Sequence, residues 1–192
     1  MRVITGSFKG RKLKTVPDLS VRPATDRVKQ TLFDILANRI RFEETNVLDL
    51  FAGSGALGIE ALSRGAAHVT FVEINEEAAG CIEQNVRSLG CEETTEIHET
   101  DAMDFVLRSK DSFDLIFADP PYGFEGTMNI PSLVFQQKLL KPHGYLLIEH
   151  ATDVRFQGSA WYRVGPEKKF GRTVVTFFQR ETYQHQEAGR TL

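Results

Sequence analysis

Short, continuous apolar runs recur along this chain, each followed by a stretch with helical periodicity, and that alternation restricts the fold more than any other feature. The runs read NVLDLF, HVTFVE, FDLIFA and YLLIEH, with a weaker one near 94–98, a short one near 161–164 and TVVTFFQ at the end. Strands that are apolar on both faces belong in a sheet covered on both sides, and helices between them make the connections parallel. Helices are expected over about 25–40, 56–64, 76–89 and 131–140. The third is the best marked: Asn75 stands at its N-cap, Glu76 and Glu77 fill the first turn, and Gly90 stops it. The expected class is α/β, with a doubly wound, mostly parallel sheet.

At 192 residues the chain fits one domain and buries a full core without staples. The expected organisation is a basic arm or hairpin over 1–24, a main domain over 25–182 and a polar tail over 183–192. RVITG and KLKTV, with Gly and Pro between and after them, give the hairpin reading.

The sharpest local feature is VLDLFAGSGALG, a strand running into a glycine turn and then a helix. Gly53, Gly55 and Gly58 form GxGxxG, and Glu73 ends the next strand. Taken alone, this also fits a dinucleotide fingerprint, or glycines that merely shape a turn. Two details favour S-adenosylmethionine. Asp49, inside the strand before the turn, suits a cationic amino-acid end, reached directly or through water, whereas it would repel a pyrophosphate. The second is a chemical motif further along that hydride transfer does not need. The expected cofactor residues are Asp49, Phe51, Ala52, Gly53, Ser54, Gly55, Glu73, Ile74, Asp101, Ala102 and Asp119, with Glu73 on the ribose hydroxyls and Asp101-Ala102 beside the adenine. The lesser alternative for Asp101 is that it is only a helix cap.

That motif is Asp119-Pro120-Pro121-Tyr122, at the carboxyl end of FDLIFA, where open α/β sheets place ligands. An exocyclic amine on a base is a poor nucleophile, because its lone pair is delocalised into the ring. Acceptors at both N–H groups raise electron density on the nitrogen and favour the pyramidal geometry of attack. The Asp119 carboxylate and the Pro120 carbonyl supply two such acceptors, the prolines stiffen the turn, and Tyr122 offers a stacking face to an extruded base. Asp119, Pro120, Pro121 and Tyr122 are therefore the catalytic candidates. A plain strand-ending turn is the alternative for the motif in isolation.

Other chemistries find less support. Cys81 and Cys91 have neither CxxC spacing nor a His at ligand distance, which argues against zinc or disulfides and for buried thiols. His68, His98, His143, His150 and His185 show no pairing of a triad or a metal site and read as strand-end or surface side chains. With no signal-like N-terminus and no apolar run near 20 residues, a soluble cytoplasmic protein is expected. The net charge of −3 hides an asymmetry: residues 2–29 carry +6 and the remainder −9. A local phosphate-binding face on an acidic body fits this distribution, as does a solvated basic arm. Lys9, Arg11, Lys12, Lys14, Arg22 and Arg27 are the candidates for contacting RNA.

With both motifs in place, the sequence resembles the Rossmann-like class I methyltransferases of the (N/D)PP(Y/F) amino-methylating type. More narrowly it is similar to the RsmD family, the bacterial 16S ribosomal RNA guanine-N2 methyltransferases. RVITGSFKGRKL, VRPATDRVKQTLFDIL, VLDLFAGSGALGIEALSRGA, FADPPY and KKFGRT carry the resemblance. It implies a seven-stranded sheet with the last strand antiparallel, S-adenosylmethionine as cofactor, and cofactor contacts at Asp49, Gly53, Glu73 and Asp101. It also implies catalysis at Asp119 to Tyr122 and a guanine N2 target in small-subunit ribosomal RNA, presented in a ribosomal particle and gripped by the basic N-terminal segment. Ala24 and Phe170 depart from the family pattern, where Thr and Tyr are expected; Phe170 keeps a stacking face and loses a hydroxyl. The rival readings are an adenine-N6 or cytosine-N4 methyltransferase, disfavoured by the absence of a sequence-reading domain, and a non-catalytic RNA-binding assembly factor, which would need neither Asp119 nor Glu73.

Overall fold

The computed structural model describes residues 1–16 and 26–181. After a hairpin-like start, the chain forms α1 (Asp26–Ala37), β1 (Asn46–Leu50), α2 (Ala56–Ser63), β2 (His68–Glu73) and α3 (Glu76–Leu89). It continues with β3 (Thr95–Glu99), α4 (Ala102–Arg108), β4 (Phe113–Ala118), α5 (Ile130–Gln136), β5 (Leu140–Ala151), β6 (Tyr162–Phe170) and β7 (Thr173–Arg180). The sheet order is β3-β2-β1-β4-β5-β7-β6. The first five strands of that order are parallel, and β7 is antiparallel to both β5 and β6, as expected of this class.

Strand order reverses between β1 and β4, because β2 and β3 extend to one side of that pair and β5 to the other. A crevice opens above such a switch point, at the carboxyl ends of the strands. The two faces of the sheet are packed separately. Leu32, Phe33 and Leu36 of α1, Ile59 of α2 and Ile82 of α3 cover one face, against Val47, Phe117 and Leu147. Phe105 and Val106 of α4 and Val134 and Phe135 of α5 cover the other, against Leu48, Ile116 and Ile148.

Several boundaries differ from those expected. The helix expected over 131–140 ends at Gln136, because Lys138 adopts a φ of 60° that turns the chain and sends Leu140 into β5. The helix over 102–108 is foreshadowed only by the alternative reading of Asp101 as a cap. The strand expected at 161–164 runs on to Phe170, past Gly165-Pro166, with a register shift between Val164 and Glu167 absorbing the interruption. Cys91 is buried but Cys81 only half so, and His150 lies buried with Nε2 2.7 Å from Thr176 Oγ1.

The described part of the N-terminal segment is built into the domain. Val3 and Leu13 join the core on the α1 face, and Val3 N–H donates to the Arg11 carbonyl at 2.9 Å while Gly10 N–H returns a bond to Val3. Glu60 of α2, fully buried, accepts from the backbone N–H groups of Ile4 and Thr5. It also accepts from Arg64 Nε at 2.9 Å, and Lys29 Nζ lies 3.9 Å away. A buried carboxylate is tolerable only with such partners. Arg22, Ala24 and the tail over 183–192 lie outside the described residues.

Candidate active site at the carboxyl edge

The glycine turn after β1 is shaped by left-handed backbone at Phe51 (φ 58°), Gly53 (φ 55°) and Gly55 (φ 77°). Phe51 is the exception among them, since a side chain disfavours that region, and such strain concentrates at functional sites. Its ring meets Phe124 edge-on at 5.3 Å, so the turn after β1 and the segment after β4 touch. Gly58 is required for a different reason. A Cβ there would stand 2.3 Å from Phe71 Cε1, so only glycine lets α2 lie this close to β2.

Asp49, only 2% exposed, sits under the turn, and its Oδ2 accepts from Gly58 N–H at 2.9 Å. Gly55 at the N-cap of α2 offers no side chain, so Asp49 satisfies from the strand a donor that helix starts leave open. Burial pushes its pKa up to about 7, with the Gly58 bond opposing the shift and the charge of Glu73 adding to it. At the end of β2, Glu73 accepts from Gly53 N–H at 2.7 Å through Oε2 and from Asn75 N–H at 2.8 Å through Oε1. It thereby fixes the turn, and each oxygen keeps a lone pair for another donor. Ile74 beside it is 65% exposed, a large apolar side chain left open at the edge. Asp101 caps α4, its Oδ1 accepting from Met103 and Asp104 N–H at 2.8 and 3.0 Å, and Ala102 behind it is buried.

Asp119 follows β4 immediately, with its N–H directed at the Leu50 carbonyl of β1. The Pro121 carbonyl accepts from Phe124 N–H at 3.0 Å, whereas the Pro120 carbonyl accepts nothing among the described residues. Tyr122 is 77% exposed, its ring free. Asp119 stands beside the end of β1, where the glycine turn begins, because β1 and β4 are neighbours in the sheet.

One member of the site escaped sequence reasoning. Ala118 of β4 pairs with Ile148 of β5, which sets Glu149 beside Asp119. Val47, Phe117 and Leu147 all belong to the α1-side core, and alternation places Asp49, Asp119 and Glu149 on that same face. Three carboxylates thus line adjacent strand ends. Burial, then the charges of Glu149 and Asp49, raise the Asp119 pKa well above the carboxylate range. Burial raises that of Glu149, against a hydrogen bond from Thr173. None of Asp49, Glu73, Asp119 and Glu149 has a cationic partner among the described residues. Crowded, unpaired carboxylates of this kind are stabilised by a cationic ligand and would be further destabilised by an anionic one.

The model of a family described as conserved hypothetical protein 95 matches residues 1–179. The chain belongs to this family, the RsmD methyltransferases. The ribosomal RNA small subunit methyltransferase D of Haemophilus influenzae is 38% identical over 156 residues, 80% of each chain. Its namesake from Escherichia coli K12 is 32% identical over 198 residues, covering 98% of this chain and 94% of the relative. The solved structure of Escherichia coli yhhF matches with a TM-score of 0.83 at 32% identity, over 94% of this chain and 98% of that one. The architecture is the Rossmann-like class I methyltransferase fold.

Of the basic N-terminal residues of this RsmD-family chain, Lys9 and Arg11 lie away from that edge, whereas the Lys14 backbone bonds Asn85, whose Nδ2 also donates to the Ser54 carbonyl in the glycine turn. Ser7 and Phe8 donate to Ser63, the last residue of α2, and Arg11 donates to the Ser88 carbonyl near the end of α3. Helices that join parallel strands return the chain to the amino edge, so Lys9 and Arg11 lie at the end of the sheet opposite Asp119. Lys14 bonds Gln84, Arg2 pairs with Asp26, and Lys29 is buried against the Arg2 carbonyl. Lys9, Lys12 and Arg27 remain exposed. No described helix is long and apolar enough to cross a membrane.

Proposed function

We propose that this protein transfers a methyl group from S-adenosylmethionine to the exocyclic N2 amine of a guanine in 16S ribosomal RNA, in the cytoplasm and within a small-subunit particle. The observation that carries the reading is the row of unpaired carboxylates at the β1/β4 switch point, beside a motif that offers two acceptors and an open ring. S-adenosylmethionine fits that site, since its α-ammonium group and its sulfonium are cationic. Asp49 and the turn residues Phe51 to Gly55 would hold the amino-acid end, Glu73 the ribose, and Ile74 with Asp101-Ala102 the adenine. When bound, the cofactor would supply an electrophilic methyl group to the amine.

The chain's own residues do the rest. The Asp119 carboxylate and the Pro120 carbonyl accept from the two amine N–H groups, which orients the lone pair and favours the tetrahedral nitrogen. Tyr122 stacks on the base and holds it out of its helix or loop. As the nitrogen becomes tetrahedral it sheds a proton, and Asp119 Oδ is placed to take it. Burial and the neighbouring Glu149 already give that carboxyl a high proton affinity. No metal or covalent intermediate is required, so rate comes mainly from positioning.

The deciding experiment incubates the protein with methyl-labelled S-adenosylmethionine and, separately, rRNA, small subunits and DNA, followed by mapping of the modified base. Label on guanine N2 of 16S rRNA supports the reading. Label on adenine N6 or cytosine N4 would replace it, and no label on any substrate would favour an assembly factor.

A further inference from the structure

The edge that carries Asp119 has cations of its own, in the turn between β6 and β7. Phe170 and Thr173 pair across a two-residue loop, Gly171-Arg172. Gly171 supplies the positive φ, 60°, that so tight a turn needs at its first position, and Thr173 Oγ1 donates to the Phe170 carbonyl at 3.2 Å. Arg172 is therefore presented at the tip of a short, closed turn. Because β7 is antiparallel to β5, its first residue, Thr173, lies opposite Ala151 at the carboxyl end of β5. The turn accordingly stands on the same edge as the candidate active site.

Register ties the turn to that site. Glu149 pairs with Val175, and Val175 pairs with Lys168, so Lys168 lies in line with the carboxylate beside Asp119. Lys168, Lys169 and Arg172 are exposed, and none has a hydrogen-bond or ion-pair partner among the described residues. β6 is also the edge strand of the sheet, where charge discourages pairing with another chain. That duty is indifferent to the sign of the charge and does not extend to Arg172, which lies beyond the strand.

We infer that the β6–β7 turn is a phosphate-contacting edge, on which Lys168, Lys169 and Arg172 hold the RNA backbone flanking the target nucleotide. The inference rests on the RNA reading above and adds where the strand runs. Two strand spacings, about 10 Å, separate β4 from β7, a span of roughly three stacked nucleotides at about 3.4 Å each. The acidic floor of the site repels phosphates, so the backbone must be held from its flank, and among the described residues the β6–β7 turn presents unpaired basic groups there. Lys9 and Arg11, at the opposite end of the sheet, would contact more distant parts of a large substrate.

The test compares the full-length protein with the triple variant K168Q/K169Q/R172Q. Fluorescein-labelled small-subunit rRNA is titrated between about 50 and 200 mM salt, and thermal melting and S-adenosylmethionine binding report that the variant is folded. The expected result is at least about tenfold weaker binding at low salt, with the log–log salt slope reduced by about 2, or about 0.7 per lost contact. The K168E/K169E/R172E variant should bind more weakly still, although a role in protecting the edge would be kept. A K9Q/K12Q variant provides the comparison from the far end. Wild-type affinity and slope in the glutamine variant would overturn the inference and leave the RNA reading standing. Failure of the wild-type protein to bind rRNA would overturn both.

Discussion

Replacing Asp49 by Asn separates charge from shape at the floor of the site. The amide oxygen can still accept from Gly58 N–H, so the cap on α2 survives and the ionisable group does not. The wild-type side chain is 2% exposed, and its pKa is raised to about 7. An unfolded chain gives up an aspartate proton near pH 4, to order of magnitude. Between about 4 and 7 the folded state holds the extra proton, so this residue's contribution to stability falls as pH rises and levels off above about 7. From pH 5 to 7 the loss is about 2 to 3 kcal/mol, roughly 1.4 per pH unit. A cationic cofactor selects the ionised form. With a pKa of about 7 only about a tenth of the free protein is ionised at pH 6, so cofactor affinity should tighten about tenfold between pH 6 and 8. Asp119 and Glu149 also have raised pKa values on the same edge, which makes the difference between wild type and D49N the informative quantity. Calorimetry at pH 6, 7 and 8, in buffers of different ionisation enthalpy, reads both affinity and proton release, and denaturant unfolding at pH 5 and 7 reads stability. D49N should lose about a tenfold share of the pH dependence of affinity, and its stability should fall by about 2 to 3 kcal/mol less than that of the wild type between pH 5 and 7. An identical pH dependence in the two proteins would refute the assignment of a proton to Asp49.

The remaining predictions concern the groups above that floor. Glu73→Ala should weaken S-adenosylmethionine binding by about 1 to 3 kcal/mol, the cost of a lost charge-assisted hydrogen bond, without unfolding the protein; unchanged calorimetric affinity would remove Glu73 from the site. Asp119→Ala should slow methyl transfer in single turnovers at saturating cofactor, and Asp119→Asn should be milder. Glu149→Gln removes a like charge next to Asp119, so the acid limb of the kcat/KM profile should move to lower pH; an unmoved limb would mean that the two carboxyls do not communicate. Tyr122→Ala should weaken productive RNA binding by about 1 to 3 kcal/mol while Tyr122→Phe keeps most activity, a split that pre-steady-state titration resolves.

What could be read from the sequence was what neighbours in sequence decide. The strand, glycine turn and helix over 46–63 could be read because apolar run, glycine spacing and helical period agree there, and α3 because Asn75 and Gly90 cap it as their side-chain chemistry dictates. Helix α4 went unread because AMDFVLR is barely two turns and follows an acid that also suits a plain turn. β6 was cut short because Gly165 and Pro166 normally end a strand. On an edge, with a register shift to absorb them, the missing proline N–H costs no ladder bond. Glu149 could not be found from the sequence at all, since an acid near the end of a strand acquires meaning only when β5 is known to lie against β4. The basic arm was legible as charge but not as place. Lys9 and Arg11 are directed to the amino edge by Glu60 and Ser63 of α2, some fifty residues further along the chain, while Lys14 is drawn to Asn85 beside the glycine turn.

Under the proposed reaction, one edge must attract a cation and a polyanion in turn, and the charge layout resolves that conflict by separating them in depth and laterally. The carboxylates are sunk at the strand ends, while the exposed cations of the β6–β7 turn lie two or three strands to the side. Burial and, at Asp119, the charge of Glu149 raise the pKa values of Asp119 and Glu149, which shifts these crowded acids toward their neutral forms and weakens the repulsion of phosphate by the floor. Cofactor binding then adds positive charge to that floor. A unit charge about 10 Å from a phosphate is worth about 0.4 kcal/mol in water and about 1.7 at an effective dielectric of about 20. The coupling is thus between about twofold and twentyfold in RNA affinity, and linkage requires RNA to tighten the cofactor by the same factor. A site built this way makes cofactor and RNA tighten each other's binding, because each removes an electrostatic obstacle to the other.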